Sequence, residues 1–176
     1  MIKSEKKFND LKSLLNKNNN LLISEAIGIL REELPFEGAI GLLITQYDKT
    51  QDIEIKKSIE TFMSDLKDQA ACSEVIDEIK RGWKVETLNM LVSSCWQSGL
   101  DYSKFSADMA RAFLQGNYIT AFECLTVIEE SISDLSRKEK DEILSIFEKD
   151  PLPSSNEKTV LLQELITILK KKEKTD

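Results

Sequence analysis

The sequence predicts an all-α protein built as an α-solenoid, in which about four helix hairpins stack one after another between two flanking helices. Three observations predict it. The 176 residues are 41% hydrophobic and 31% charged, with only 6 Gly and 3 Pro; that is too apolar for a disordered chain and too poor in turn residues for a β sandwich. Apolar residues recur at three and four positions, the period of a helix face. Paired as hairpins over 21–47, 52–82, 84–115 and 118–149, the segments start roughly 31 to 34 residues apart, the spacing of helical repeats.

Turn residues divide the chain into segments 3–16, 21–33, 36–47, 52–67, 71–82, 84–98, 102–115, 118–134, 137–149 and 156–172. The whole is one domain over 1–176: an N-terminal capping helix in 1–20, repeats over 21–149, a linker at 150–156, and a C-terminal helix with a basic tail over 157–176. Pro35 disfavours continuation of the helix before it and suits the first turn of the next. Asp48-Lys49-Thr50-Gln51-Asp52 is polar and turn-like, with Thr50 or Asp52 placed to cap the fourth segment. There Ile55, Ile59, Phe62, Met63 and Leu66 form one stripe, opposite Glu54, Lys56, Lys57 and Glu60. In segment 84–98 Leu88, Leu91, Val92 and Cys95 align. Gly99 and Gly116 suit the left-handed close of a helix, and Asp101 and Asn117 suit the start of the next. The eighth segment aligns Ala121, Phe122, Leu125, Ile128 and Ile132. Pro151-Leu152-Pro153 predicts an extended spacer before the last helix.

Composition also excludes. A formal net charge of −7 opposes binding to a phosphate backbone, which relies on Lys and Arg to replace counterions; no nucleic-acid partner is expected. The one basic run, Lys170-Lys171-Lys172-Glu173-Lys174, suits the negative end of a helix dipole. The N-terminal stretch lacks an apolar core and a small-residue cleavage site, and no apolar run approaches the ~20 residues of a membrane span. A cytoplasmic location and no membrane partner are the expectation. Cys72, Cys95 and Cys124 are odd in number and widely separated, which suits reduced buried thiols. The chain has no histidine, so a Ser-His-Asp triad, a Cys-His dyad or an H-E-x-x-H zinc site cannot form within it. No glycine-rich phosphate loop or nucleophile elbow occurs. The expectation is no cofactor, no metal site and no catalytic residue.

The stretch "AIGILREEL" followed by Pro35, and then "QYDKTQDIEIKKSIETFMSDL", resembles the HEAT repeat pattern of an acidic turn leading into a helix with a basic residue and an apolar stripe. "SSCWQSGLDYSKF" with "AFECLTVIEE" further resembles small bacterial HEAT-like proteins of the armadillo type. The resemblance covers roughly residues 20 to 150. Gly116-Asn117-Tyr118-Ile119-Thr120-Ala121 resembles instead the inter-helix turn of a tetratricopeptide repeat. However, Asp108 and Met109 stand where that family favours Leu and Gly, and no second copy follows. HEAT-like packing is the preferred reading, and either choice implies an α-solenoid, a scaffold whose extended surface binds protein partners.

The Cys-Trp pair in "SSCWQSGLDYS" invites comparison with a cysteine-protease nucleophile. Cys95 falls near a helix C-terminus, where the dipole raises a thiol pKa, and it sits on the apolar stripe, so a buried packing role is favoured. Trp96 reads as packing between repeats or as an anchor at an interface. Gln97 projects away from the stripe, and Asp101 and Tyr102 read as cap and junction cover or as a recognition pair for a basic peptide. Glu123, Glu129 and Glu130 form an acidic stretch on one helix, usually a solvated face. These seven residues, Trp96, Gln97, Asp101, Tyr102, Glu123, Glu129 and Glu130, are the candidates for partner binding. The expected function is a non-enzymatic interaction module whose acidic surface binds a protein or peptide, with a basic partner suggested by the charge. One alternative is an enzyme using Glu123, Glu129, Asp101 or Tyr102 as acid or base. A glycosylase-like use of the scaffold needs a basic groove that the composition disfavours. The other alternative is a structural subunit that self-associates through 3–16 and 156–172; the sequence leaves the oligomeric state open.

Overall fold

The computed structural model describes residues 3–17, 19–33, 35–149 and 156–171. Along them run α1 (Glu5–Leu15), α2 (Asn20–Glu32), α3 (Ala39–Lys49), α4 (Ile53–Ser64), α5 (Ala71–Ile79), α6 (Val85–Gln97), α7 (Ser106–Gln115), α8 (Tyr118–Ser131), α9 (Arg137–Lys149) and α10 (Asn156–Lys170). A 3-10 turn, Ser103–Phe105, precedes α7, and no strand forms among the described residues. The protein is all-α, and each helix falls within a residue or a few of a segment drawn from periodicity. The Pro151-x-Pro153 spacer and the end of the basic run, Lys172 to Lys174, lie outside the described residues.

Contacts divide the chain into two compact units, residues 1–100 and 101–176. In the first, α2, α4 and α6 pack in succession and so do α1, α3 and α5, while α1/α2, α3/α4, α5/α6 and α3/α6 join the two rows. The hairpins are therefore shifted by one helix from the expected 21–47, 52–82 and 84–115. Connection length gives the reason: three residues, Thr50–Asp52, link α3 to α4, whereas six link α2 to α3 and six link α4 to α5. Short connections leave helices as direct neighbours, and longer ones step onward. The core is aliphatic, with Ile23, Ile27, Ile40, Leu43, Ile44, Ile55, Ile59, Met63, Ile76 and Leu91 almost fully enclosed. The α4 stripe is buried as expected, Ile55, Ile59, Phe62, Met63 and Leu66 all at 3% exposure or less.

Side-chain links tie α2 to α4 and α4 to α6 at a nearly constant separation. Asn20 donates to Asp52 and Arg31 to Asp65, 32 and 34 residues apart. Lys56 donates to Glu86 and Ser64 to Gln97, 30 and 33 residues apart.

In the second unit α7 packs on α8, α9 and the 3-10 turn, and α10 packs on α8 and α9. Phe113 meets Phe147 edge-on, with ring centroids 5.6 Å apart, a favourable aromatic geometry.

Three local expectations are corrected. Pro35 does not open α3; the helix starts at Ala39, after Gly38 adopts φ 87°, a left-handed conformation that costs glycine little. Gly116 is extended rather than left-handed, and it is needed for space, because a Cβ there would stand 2.4 Å from Thr120 Cβ. Phe122 is 49% exposed and leaves the stripe it was assigned to, whereas Ala121, Leu125 and Ile128 are buried. Other turns form as expected. Asp52 caps α4 through the amides of Glu54 and Ile55, Asn117 caps α8 through Thr120 N, and Gly99 is left-handed. Asp101 accepts from Ser103 N and so opens the 3-10 turn, with α7 beginning three residues later.

Candidate functional site

An acidic cleft lies in the first unit, on the row formed by α1, α3 and α5. It encloses about 670 Å³. Its floor is assembled from two unusual positions. Gly41 stands inside α3, where a side chain is normally expected, and a Cβ there would lie 2.8 Å from Glu78 Oε1. Bare backbone at position 41 is what lets the Glu78 carboxylate, projecting from α5, lie down against α3. At the mouth Phe8 of α1 packs against Gly38, within 2.8 Å of where a Cβ would stand.

Glu74, one turn before Glu78, completes the junction. The first amides of a helix have no partner within it, and Gly38 offers no side-chain cap to α3. Glu74 supplies the cap from the neighbouring helix: Oε2 accepts from Gly38 N and Oε1 from Gly41 N, both at 3.1 Å. Burial pushes its carboxyl above the usual range, the amide bonds oppose that shift, and the charge of Glu78 adds to it.

Glu78 is the buried acid of this cleft. Its side chain is 6% exposed. Oε1 accepts from Arg81 Nη1 at 2.8 Å, while Oε2 is enclosed with no hydrogen-bond partner. A buried polar atom left unmatched costs about 1–3 kcal/mol and calls for an explanation. Arg81 is itself half exposed and lies 5.5 Å from the centroid of the Trp83 ring. With Glu37 and Asp77 at the rim, four carboxylates face one guanidinium. Among the described residues no group of three or more cysteines or carboxylates is placed to hold a metal ion. The acids are spread along the cleft, and three already have protein partners: Glu74 the α3 amides, Glu78 the Arg81 guanidinium, and exposed Glu37 the Lys3 ammonium at 3.7 Å.

The seven residues singled out from the sequence lie elsewhere. Trp96 is half-buried at the end of α6, and exposed Gln97 accepts from Ser64 Oγ at 2.7 Å, which ties α6 to α4. Asp101 is exposed and occupied with the Ser103 amide. Tyr102 is 2% exposed, its ring 6.4 Å from that of Phe105, so it offers no surface to a peptide. Glu129 and Glu130 are exposed, and Glu123 is half-buried. Glu129 shares a shallow depression with Glu164 of α10 rather than with Glu123 or Glu130, and burial followed by the Glu164 charge pushes its carboxyl up. Cys72, Cys95 and Cys124 are buried thiols that form no disulfide among the described residues, as the thiol argument expects.

A second cleft, in residues 101–176, encloses about 620 Å³ and carries Arg137, Lys140, Lys170 and Lys171 with Asp134 and Asp141. The α9 amide end beside it is already served by a capping box, since Glu139 N donates to Ser136 Oγ at 3.4 Å and Ser136 N donates back to Glu139 Oε2 at 2.8 Å. The sequence signal for the first cleft was weak. Glu74, Asp77, Glu78 and Arg81 fall at the spacing of an ordinary charged helix face, and only a glycine within the apolar run "AIGLLI" marks a close approach. Comparison with protein-family models, curated proteins and solved structures finds no match to this chain.

Proposed function

We propose that this protein is a non-enzymatic interaction module, a short HEAT-like stack of helix pairs whose acidic surface binds a basic protein or peptide. The observation that carries the reading is the α1/α3/α5 cleft, where four carboxylates face one guanidinium and one carboxylate oxygen is enclosed without a donor. Links between like helices at 30 to 34 residues support the repeat component, because stacked units repeat their neighbour contacts. The net charge of −7 supports a basic partner, since complementary potentials steer encounter and suppress wrong pairings.

The test is fluorescence anisotropy of labelled lysine-rich, arginine-rich and glutamate-rich peptides with the full chain, at low and at moderate salt. Basic peptides are expected to bind and to weaken as salt rises, and glutamate-rich peptides to stay free. Equal binding of acidic and basic peptides, or no binding by either, overturns the proposal.

A further inference from the structure

We propose that the α1/α3/α5 cleft is a receptor for a single lysine side chain of the partner, with Glu78 as its innermost acceptor. This rests on the reading of the protein as an acidic interaction module and names the chemistry of the contact.

Three observations converge. The first is the Glu78 oxygen. A carboxylate that is 94% enclosed, bonded on one oxygen only, is an expensive group to keep unless something else uses it. Oε1, the oxygen bonded to Arg81, is the one that lies against α3 at Gly41; the terminal torsion is broad and nearly two-fold, so rotation about it lets either oxygen serve a cation that displaces Arg81. The second is the distribution of acceptors. Glu74 has both oxygens on amides of α3 and Glu78 has one on Arg81, so the inner cleft presents no free carboxylate pair. A guanidinium needs two parallel acceptors, whereas an ammonium has three freely rotating donors for separate oxygens. The arrangement favours lysine over arginine. The third is the wall. Phe8 and Leu42 line the opening and give the four-carbon stem an apolar path while its charged end goes inward.

Arg81 holds the position an incoming cation needs. Its guanidinium is 58% exposed and has the Trp83 ring beside it. It is therefore able to yield Glu78 to a ligand and keep a second contact. Loss of Arg81 should strengthen lysine binding, and neutralisation of Glu78 should weaken it.

The experiment uses the full isotope-labelled chain and follows backbone amide resonances. The probes are acetyl-Gly-Lys-Gly-amide, its arginine and glutamine counterparts, and n-butylamine, which carries the same ammonium without a peptide. The lysine peptide is expected to shift the amides of Gly38 and Gly41 and to leave Gly28 and Gly99 in place. Glu78→Gln is expected to weaken it about tenfold, and Arg81→Gln to tighten it. Thermal unfolding separates site from scaffold: Glu78→Gln, which replaces a buried carboxylate that has one oxygen without a donor and leaves Arg81 half exposed to water, is expected to melt near the parent temperature while losing the ligand.

Unchanged affinity in Glu78→Gln, or an arginine peptide that binds as tightly as the lysine one, overturns the assignment. Butylamine matching the lysine peptide overturns the peptide as its source. Lysine-peptide shifts confined to residues 101–176 overturn this site and leave the basic-partner reading standing. Absence of any shift together with absence of binding by the basic peptides overturns both.

Discussion

Lys158 carries its charge into the interior of the second unit. It is 7% exposed, and Nζ donates to Leu114 O and Gly116 O at 2.7 Å each. Those carbonyls belong to the end of α7, the negative pole of that helix, where the last C=O groups have no partner of their own. Nζ also lies 5.8 Å from the centroid of the Phe113 ring. Burial lowers the lysine pKa; burial also pushes the Cys124 thiol up, which keeps it protonated and inert. Lys158 thus fastens α10 to the end of α7. Lys158→Met preserves the stem and removes the donors, leaving two enclosed carbonyls unmatched. It is expected to lower unfolding free energy by about 1–3 kcal/mol, read from urea midpoints. A midpoint equal to that of the parent chain contradicts the fastening role.

Helix ends in the first unit are served from neighbouring helices, and the two clearest cases titrate in opposite senses. α6 has no side-chain cap at Lys84. Asp48, near the end of α3, replaces it: Oδ1 accepts from Thr87 Oγ1 at 2.7 Å and from Lys84 N at 3.3 Å, and Oδ2 lies 3.3 Å from Lys84 Nζ. Burial raises the Asp48 carboxyl, but the Thr87 and Lys84 bonds together outweigh it and the net shift is downward. A lowered acid contributes stability that is present above its unfolded pKa and lost as pH falls through the folded one. Glu74, raised by burial, works the other way, and its contribution fades as pH rises through its folded pKa. Asp48→Asn is therefore expected to cost about 1 kcal/mol at neutral pH. The deficit should close in acid, below the ordinary carboxylate range, in urea titrations of both proteins. A deficit that persists there contradicts the charge-based cap. Neither cap was visible in the sequence, because each joins residues 33 to 39 positions apart and no local pattern marks the partner. Helix positions were legible where one face alone is apolar, as in α4. In α8 the reading failed at Phe122, because Tyr118, Ile119 and Phe122 are exposed while Thr120, Ala121 and Cys124 are buried. Apolar residues on both sides of a helix leave periodicity without a unique face.

At the scale of the molecule, the sequence showed ten helical segments at repeating intervals and could not show where contact density drops. Gly99 is a single left-handed glycine in a short connection, locally like any other turn. The division between Leu100 and Asp101 follows from which helices share a core. The described residues of 1–100 form six helices whose enclosed aliphatic side chains come from both rows, from Ile23 in α2 to Leu91 in α6. The acidic cleft is built wholly from α1, α3, α5 and their connections. A unit with its own core folds by itself when few of its buried groups depend on the remainder. A fragment ending at Leu100 is accordingly expected to retain a helical circular-dichroism spectrum, to melt cooperatively, and to show the amide resonances of Gly38 and Gly41 near their positions in the whole chain. Loss of cooperative melting with loss of helix would show that the first core is completed by residues beyond 100. The same fragment then tells where recognition resides. If basic peptides bind it as they bind the full chain, the acidic cleft needs nothing from the second unit, whose own cleft carries four basic side chains and two acids.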